Sequence, residues 1–317
     1  MIMWGRALSD TDSFMVTTDR GPFYGKVMLF GEYSVILGSK ALVVPLKCFS
    51  GQWSRKAIVH PRQNYLRDEL IKYCEYLSGN AETASLLRTD AMHEALEQGW
   101  WLDTDIPVGY GVGSSGLVVA ALYESFAVKR PDELMHLKRQ LGLLENYFHG
   151  NSSGIDPLCC LLRQPVLIDG QQQLSLPGTF HAPESWKVFL FDSGRSGLTG
   201  PLVQYFQQRM QEYSFYRKVK NDWIPAVNGV IEQFLAGDSA LLSSHLVKLS
   251  HFERHQLGAM IPPELEAFWD TGLSDGRFLM KLCGSGGGGF SLVFTEDETA
   301  MRQHLPAERL IPFGDSL

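Results

Sequence analysis

Three glycine-rich segments and two carboxylates carry the residue types that could do chemistry in this chain. The segments are Gly25-Lys26-Val27-Met28-Leu29-Phe30-Gly31-Glu32-Tyr33, Pro107 to Gly116 (PVGYGVGSSG) and Gly284 to Gly289 (GSGGGG). Glycine lets a backbone adopt positive φ and approach a ligand closely, so successive N–H groups can converge on an anion. Ser114 and Ser115 stand just before the apolar run LVVAALYESFAV. Their segment therefore falls at a helix N-terminus, where unpaired N–H groups and the helix dipole favour a polyphosphate. A serine hydroxyl there can also complete a Mg2+ shell. Asp156, after Asn-Ser-Ser-Gly-Ile, could accept a hydroxyl proton, while Glu145, eleven positions upstream, could hold a metal. Without the glycine segments, Glu145 reads more simply as a solvated helix residue and Asp156 as a helix cap before Pro157.

No single motif decides the matter. GPFYGKV has the wrong spacing for a P-loop and no Ser or Thr after its lysine. Gly111-x-Gly113-x-x-Gly116 and Gly284-x-Gly286-x-x-Gly289 fit a dinucleotide fingerprint formally. The first follows a weak strand and the second joins two strands, which is the wrong context for a Rossmann unit. His251 and His255 share a predicted helix, but the acid between them is misplaced for a zinc protease. Trp100-Trp101 and the aromatics of QEYSFYRKVKNDW read as packing residues.

The elements that must position these residues can be read from periodicity. Strands are predicted over 23–31, 41–49 and 52–59, then helices within 63–78 and 82–97. A buried helix follows over 117–128, another from Pro131 to Phe148, a short one over 156–163 and a strand over 165–169. The polar stretch 171–185, with two prolines and a glycine, marks a domain boundary. Beyond it come a strand at 187–192, helical patterns over 200–236 and 238–257, and a helix over 263–270. A hairpin-like pair then surrounds the third glycine segment, followed by a helix over 297–304 and a closing strand. The class is α+β.

Of the 317 residues, 44% are hydrophobic and 20% charged, an ordinary globular balance. No apolar run approaches the ~20 residues that span a bilayer. The first residues lack a basic segment followed by an apolar one, so no secretory signal is expected. A net charge of -7 without Lys/Arg blocks argues against a nucleic-acid partner. The five cysteines include no CxxC pair, so neither a zinc site nor a disulfide framework is expected, and a reducing cytoplasm fits. Cys159-Cys160 read as small apolar helix residues.

Taken together, GKVMLFGEYSVILG, PVGYGVGSSGLVVAAL, HGNSSGID and KLCGSGGGGFSLVF resemble the sequence blocks of the GHMP kinases, in order, over residues 25–294. HGNSSGID, with a Glu eleven positions before its Asp, is most similar to the mevalonate kinases. The resemblance implies a two-domain fold, with a ribosomal protein S5 domain 2-like unit over 1–180, a ferredoxin-like unit over 181–317 and a cleft between them. It implies ATP and Mg2+ as cofactors and phosphorylation of a small hydroxy acid such as mevalonate, with no nucleic acid or membrane involved and a homodimer compatible. Lys26 matches the lysine facing the transferred phosphoryl group, and Asp156 the proposed base. Ser115 and Glu145 match Mg2+ ligands. Gly109, Gly111, Gly113, Ser114, Ser115 and Gly116 match the ATP phosphate loop, and Gly286, Gly287 and Gly288 the third block. Thr199 falls near where a threonine approaches the transferred group.

Two departures bear on the acceptor. Mevalonate kinases commonly carry GEH, whose His helps hold the substrate, where this chain has Gly31-Glu32-Tyr33. The resemblance therefore places Glu32 and Tyr33 at the acceptor. GEY and the SSG at 114–116 resemble phosphomevalonate kinases. Gly289 and the HGNSSGID block point back to mevalonate. A phosphorylated acceptor would need cations, to which Arg195 and His149 could contribute. Phosphomevalonate or a sugar is the alternative acceptor, and diphosphomevalonate decarboxylation the alternative chemistry. A ligand-sensing regulator is a further alternative, disfavoured by the intact Lys26, Glu145 and Asp156.

Overall fold

The computed structural model describes residues 21–178, 180, 182–197 and 199–314, the Thr199 side chain excepted. The N-terminal half begins with β1 (Phe23–Phe30) and β2 (Ala41–Ser54), paired antiparallel. β2 is one strand of 14 residues where periodicity suggests two. Gly51 does not break it: a side chain there would come within 2.9 Å of Leu117, so the bare backbone gives that leucine room to pack. α1 (Pro61–Gly79) starts with Pro61 in its first turn and a reciprocal cap between His60 and Gln63. The second predicted helix is divided into α2 (Ala81–Ala84) and α3 (Thr89–Glu97), because Leu87 leaves the helix to bridge Ala127.

β3 (Trp101–Thr104) adds to the far end of β2 and leads into α4 (Ser114–Phe126). α4 packs on β1 and on the next two helices, α5 (Leu134–His149) and α6 (Ile155–Leu162), which explains its near-continuous apolar sequence. α5 starts three residues later than Pro131 suggests. β4 (Val166–Ile168) pairs with the start of β2, and β5 (Leu174–Ser175) closes this five-stranded sheet from inside the polar 171–185 stretch.

The remaining chain builds a four-stranded sheet with βαββαβ connectivity. β6 (Lys187–Asp192) is followed by α7 (Thr199–Arg209), α8 (Tyr213–Lys218), α9 (Ile224–Ala236), α10 (Leu242–Gln256) and α11 (Pro263–Asp275). Next come β7 (Leu279–Leu282), β8 (Phe290–Thr295), α12 (Glu298–His304) and β9 (Leu310–Pro312). The strand order is β7-β8-β6-β9, antiparallel throughout. The helical pattern over 200–236 is broken after Arg209, and a π turn at Val219–Trp223 precedes α9. Pro225 in the first turn of α9 has no N–H to return to the preceding turn, so that turn widens.

The two sheets share one buried core. Phe30, at the end of β1, stacks on Phe294 of β8 (5.6 Å between ring centres) and meets Phe234 of α9 edge-on at 5.2 Å. Cys159 and Cys160 are buried on α6 as free thiols. Among the described residues, no helix is long and apolar enough to cross a membrane.

Candidate active site

β1 delivers Lys26 into a cleft of about 780 Å³ between the two halves. The Lys26 backbone N–H donates to the Val112 carbonyl at 3.0 Å, fixing the second glycine segment against the strand. Its ammonium lies 2.7 Å from Asp156 Oδ2 and 3.4 Å from the Gly111 carbonyl. Burial alone would pull the Lys26 pKa down; the Asp156 charge and hydrogen bond outweigh it and hold the ammonium above the usual lysine range.

Asp156 sits in the first turn of α6 rather than at its cap. Gly116 allows that placement, since a β-carbon on it would lie 3.0 Å from the Asp156 carbonyl carbon and from the Pro157 nitrogen. Glu145 is 2% exposed on α5, and the hydroxyls of Ser115 (2.9 Å) and Ser152 donate to its carboxylate. Burial, then the neighbouring Asp156 charge, raise its pKa to about 7 against these hydrogen bonds. His149 Nε2 lies 3.0 Å from Ser115 Oγ, and burial lowers the imidazole's pKa.

Gly109, Gly111 and Gly113 all have positive φ, and Gly113 precedes α4 with no side chain capping the helix. The third segment repeats this geometry, with positive φ at Gly284, Gly286, Gly287, Gly288 and Gly289. It abuts the second segment: a side chain on Gly289 would meet Tyr110 at 2.7 Å. The loop after β6 joins them, because Gly197 N–H donates to the Gly109 carbonyl at 2.9 Å.

Of the residues expected from sequence, Lys26, Gly109, Gly111, Gly113, Ser114, Ser115, Glu145, His149, Asp156, Gly286 and Gly288 line this one cleft. Gly116 and Gly287 do not: the first packs against Asp156, and the second gives its N–H to the Met260 carbonyl at 2.6 Å. Glu32 and Tyr33, expected at the substrate, turn away from the cleft. Glu32 is 5% exposed and pairs with Lys281 at 2.6 Å. The Tyr33 hydroxyl donates to the Ser285 carbonyl at 2.8 Å, and burial, then the Glu32 charge, push its pKa up. Arg195 is drawn off by Glu264, 3.1 Å from its Nε. Thr199 begins α7, and its side chain lies outside the described residues. Cleft residues that the motifs did not single out include Phe148, Asn151, Ser152, Ser153, Gln204 and Cys283. Ser152 was within reach, since it belongs to the HGNSSGID block.

Asp156 takes the Lys26 ammonium, while Glu145 has hydroxyl partners, and a divalent cation beside Glu145 would favour its ionised form. The donors around it, Ser115 Oγ and the Glu145 carboxylate, are hard oxygens suited to Mg2+ with phosphate oxygens completing the shell. Among the described residues, no group of three or more His, Cys, Asp or Glu side chains forms a self-sufficient metal cage. The glycine segments and the uncapped start of α4 suit a polyphosphate.

No protein-family model matches the chain, and no curated protein matches it in sequence. Its fold does match solved structures. One is L. major mevalonate kinase in complex with R-mevalonate, at TM-score 0.61 and 18% identity over 92% of this chain and 94% of that one. Another is the phosphomevalonate kinase of Streptococcus pneumoniae, at TM-score 0.59 and 16% identity over 92% and 97%. A third is Lactococcus lactis galactokinase complexed with galactose, at TM-score 0.60 and 12% identity over 89% and 87%. The chain thus has the α+β architecture that these three kinases share.

Proposed function

We propose that the chain is an ATP- and Mg2+-dependent kinase that phosphorylates the hydroxyl of a small hydroxy acid, with mevalonate the first acceptor to test. The observation that carries this reading is the Lys26–Asp156 pair at 2.7 Å, opening onto the same cleft as Ser115 and Glu145. Phosphoryl transfer asks a protein mainly for positioning and charge neutralisation. Backbone N–H groups of residues 111–116 hold the polyphosphate. Ser115 and Glu145 would hold Mg2+, which would supply charge neutralisation for the phosphoryl transfer. Lys26 offsets the charge spreading over the transferred group and holds the Asp156 carboxylate in place at 2.7 Å. Asp156 accepts the acceptor's hydroxyl proton, or orients that hydroxyl toward the phosphorus.

Lys26 is the only lysine or arginine among the described residues lining the cleft. A phosphorylated acceptor would bring a charge of about -2 into a site whose one cation already serves Asp156. This favours a monoanionic acceptor such as mevalonate over phosphomevalonate, and keeps an uncharged sugar as the second reading. The same reading takes 1–180 and 181–317 as the two domains, the second ferredoxin-like, in a cytoplasmic enzyme.

The test is acceptor-dependent ADP release with MgATP over a panel of mevalonate, phosphomevalonate, diphosphomevalonate and sugars, with product phosphorus read by NMR. Mevalonate-dependent ADP and a phosphomonoester product are expected. CO2 release with diphosphomevalonate would move the reading to decarboxylation. Absence of acceptor-dependent ADP across the panel would overturn it.

A further inference from the structure

We infer that Glu32 and Tyr33 are positioning residues that clamp the third glycine segment from the first one. The effect on turnover rests on the kinase reading above, whereas the clamp is a property of the fold. Gly31 has φ 110°, and a β-carbon on it would lie 2.4 Å from that of Ala41, so only glycine fits. Tyr33 follows at φ 56°, a conformation that side chains disfavour. This turn sends two successive side chains into the C-terminal half.

Both reach the same stretch of chain. Glu32 pairs with Lys281 at 2.6 Å, and the Lys281 ammonium also donates to the Leu282 carbonyl at 2.6 Å. Lys281 lies on β7, the strand that runs into Gly284–Gly289. The Tyr33 hydroxyl reaches the segment itself at Ser285, while its ring rests on Phe206 of α7 with centres 4.8 Å apart. A glycine-rich loop has much conformational freedom to lose when it is held still. The far part of this one is tied by backbone bonds from Gly287 to Met260 and from Gly289 to Arg195, each 2.6 Å. Tyr33 and Glu32 hold the near part, where Gly284, Ser285 and Gly286 face the cleft. The phosphoryl end of the site is therefore shaped by two side chains that do not line it.

Tyr33→Phe keeps the ring on Phe206 and removes only the hydrogen bond. We expect kcat to fall about ten-fold, equivalent to ~1.4 kcal/mol of barrier, with KM for ATP and acceptor unchanged within about two-fold. Amide hydrogen exchange in peptides covering 284–290 should accelerate while β1 and β6 are unaffected. A lower melting temperature with unchanged kcat per folded molecule and unchanged exchange at 284–290 would overturn the clamp. Exchange can be read without turnover, so a wild-type protein inactive on every acceptor would sink the kinase reading and leave this test standing.

Discussion

The ammonium of Lys26 and the carboxylate of Asp156 lie 2.7 Å apart but face different surroundings: the lysine side chain is 6% exposed and the aspartate side chain 32%. The cation is locked in protein, while the anion keeps one side open to the cleft. That asymmetry suits a group that must meet an incoming hydroxyl while its partner holds it in position.

Replacing Asp156 by Asn preserves size and removes the charge. Turnover should fall by about 10²–10⁴-fold, the usual range for a lost general base. The ATP dissociation constant should stay within a few-fold, because the phosphate-facing backbone is untouched. Rapid-quench kinetics and calorimetric titration would separate the two. Full activity in this variant would remove Asp156 from the chemistry.

Chelation of Mg2+ should stop turnover, and readdition restore it. Glu145→Gln keeps an acceptor for one of the two hydroxyls and turns an amide N–H toward the other, which can accept it, so the local fold should survive. The Mg2+ concentration for half-maximal rate should rise by at least about 10–100-fold, the range that losing even a partner behind a metal ligand costs. An unchanged Mg2+ requirement would show that the carboxylate holds no metal.

Gly116→Ala tests the close approach of α4 to α6. The added methyl would press on the Asp156–Pro157 peptide at 3.0 Å, so overpacking should cost about 1–3 kcal/mol. Because the displaced residue is Asp156, kcat should fall as well. Urea denaturation and steady-state kinetics on the same sample would check both. Wild-type values in both assays would mean that the helices separate freely at this point.

Stability should depend on pH through Glu253. This carboxyl is buried beside Lys281 and Glu32 and accepts the Leu282 N–H at 2.7 Å. Burial raises its pKa from 4.5 to about 8, with the Lys281 charge opposing and the Glu32 charge adding. The folded state therefore binds a proton that the unfolded chain has already lost. Its contribution is complete below about pH 4.5 and disappears as pH rises through about 8. Glu253→Gln keeps an acceptor for Leu282 and cannot ionise, so its urea midpoint should gain on the wild type as pH is raised from 5 to about 8. Parallel midpoint curves would show that Glu253 does not titrate in this window.

The parts of the site that sequence made legible are those whose chemistry dictates residue type at fixed spacing. Glycines with positive φ, serines at a helix start, and a Glu and Asp eleven positions apart all met at one cleft. Glu32 and Tyr33 were misplaced because a motif does not say which way a turn throws its side chains. Their direction follows from the backbone at Gly31 and Tyr33 and from Lys281, near the other end of the chain. The fold errors have similar causes. Gly51 looked like a break until Leu117 filled the space above it, and the 200–236 pattern kept its periodicity through a turn widened by Pro225. In each case a distant or missing partner overrode local pattern.

The aromatic seam of Phe30, Phe234 and Phe294 makes each sheet the lining of the other. Severing the polypeptide between β5 and β6 would not liberate two independent modules. Each fragment would bare a face of rings to water and, at Glu32 or Lys281, half of an interior ion pair. Such pieces should recover their structure only when mixed, as mutual templates.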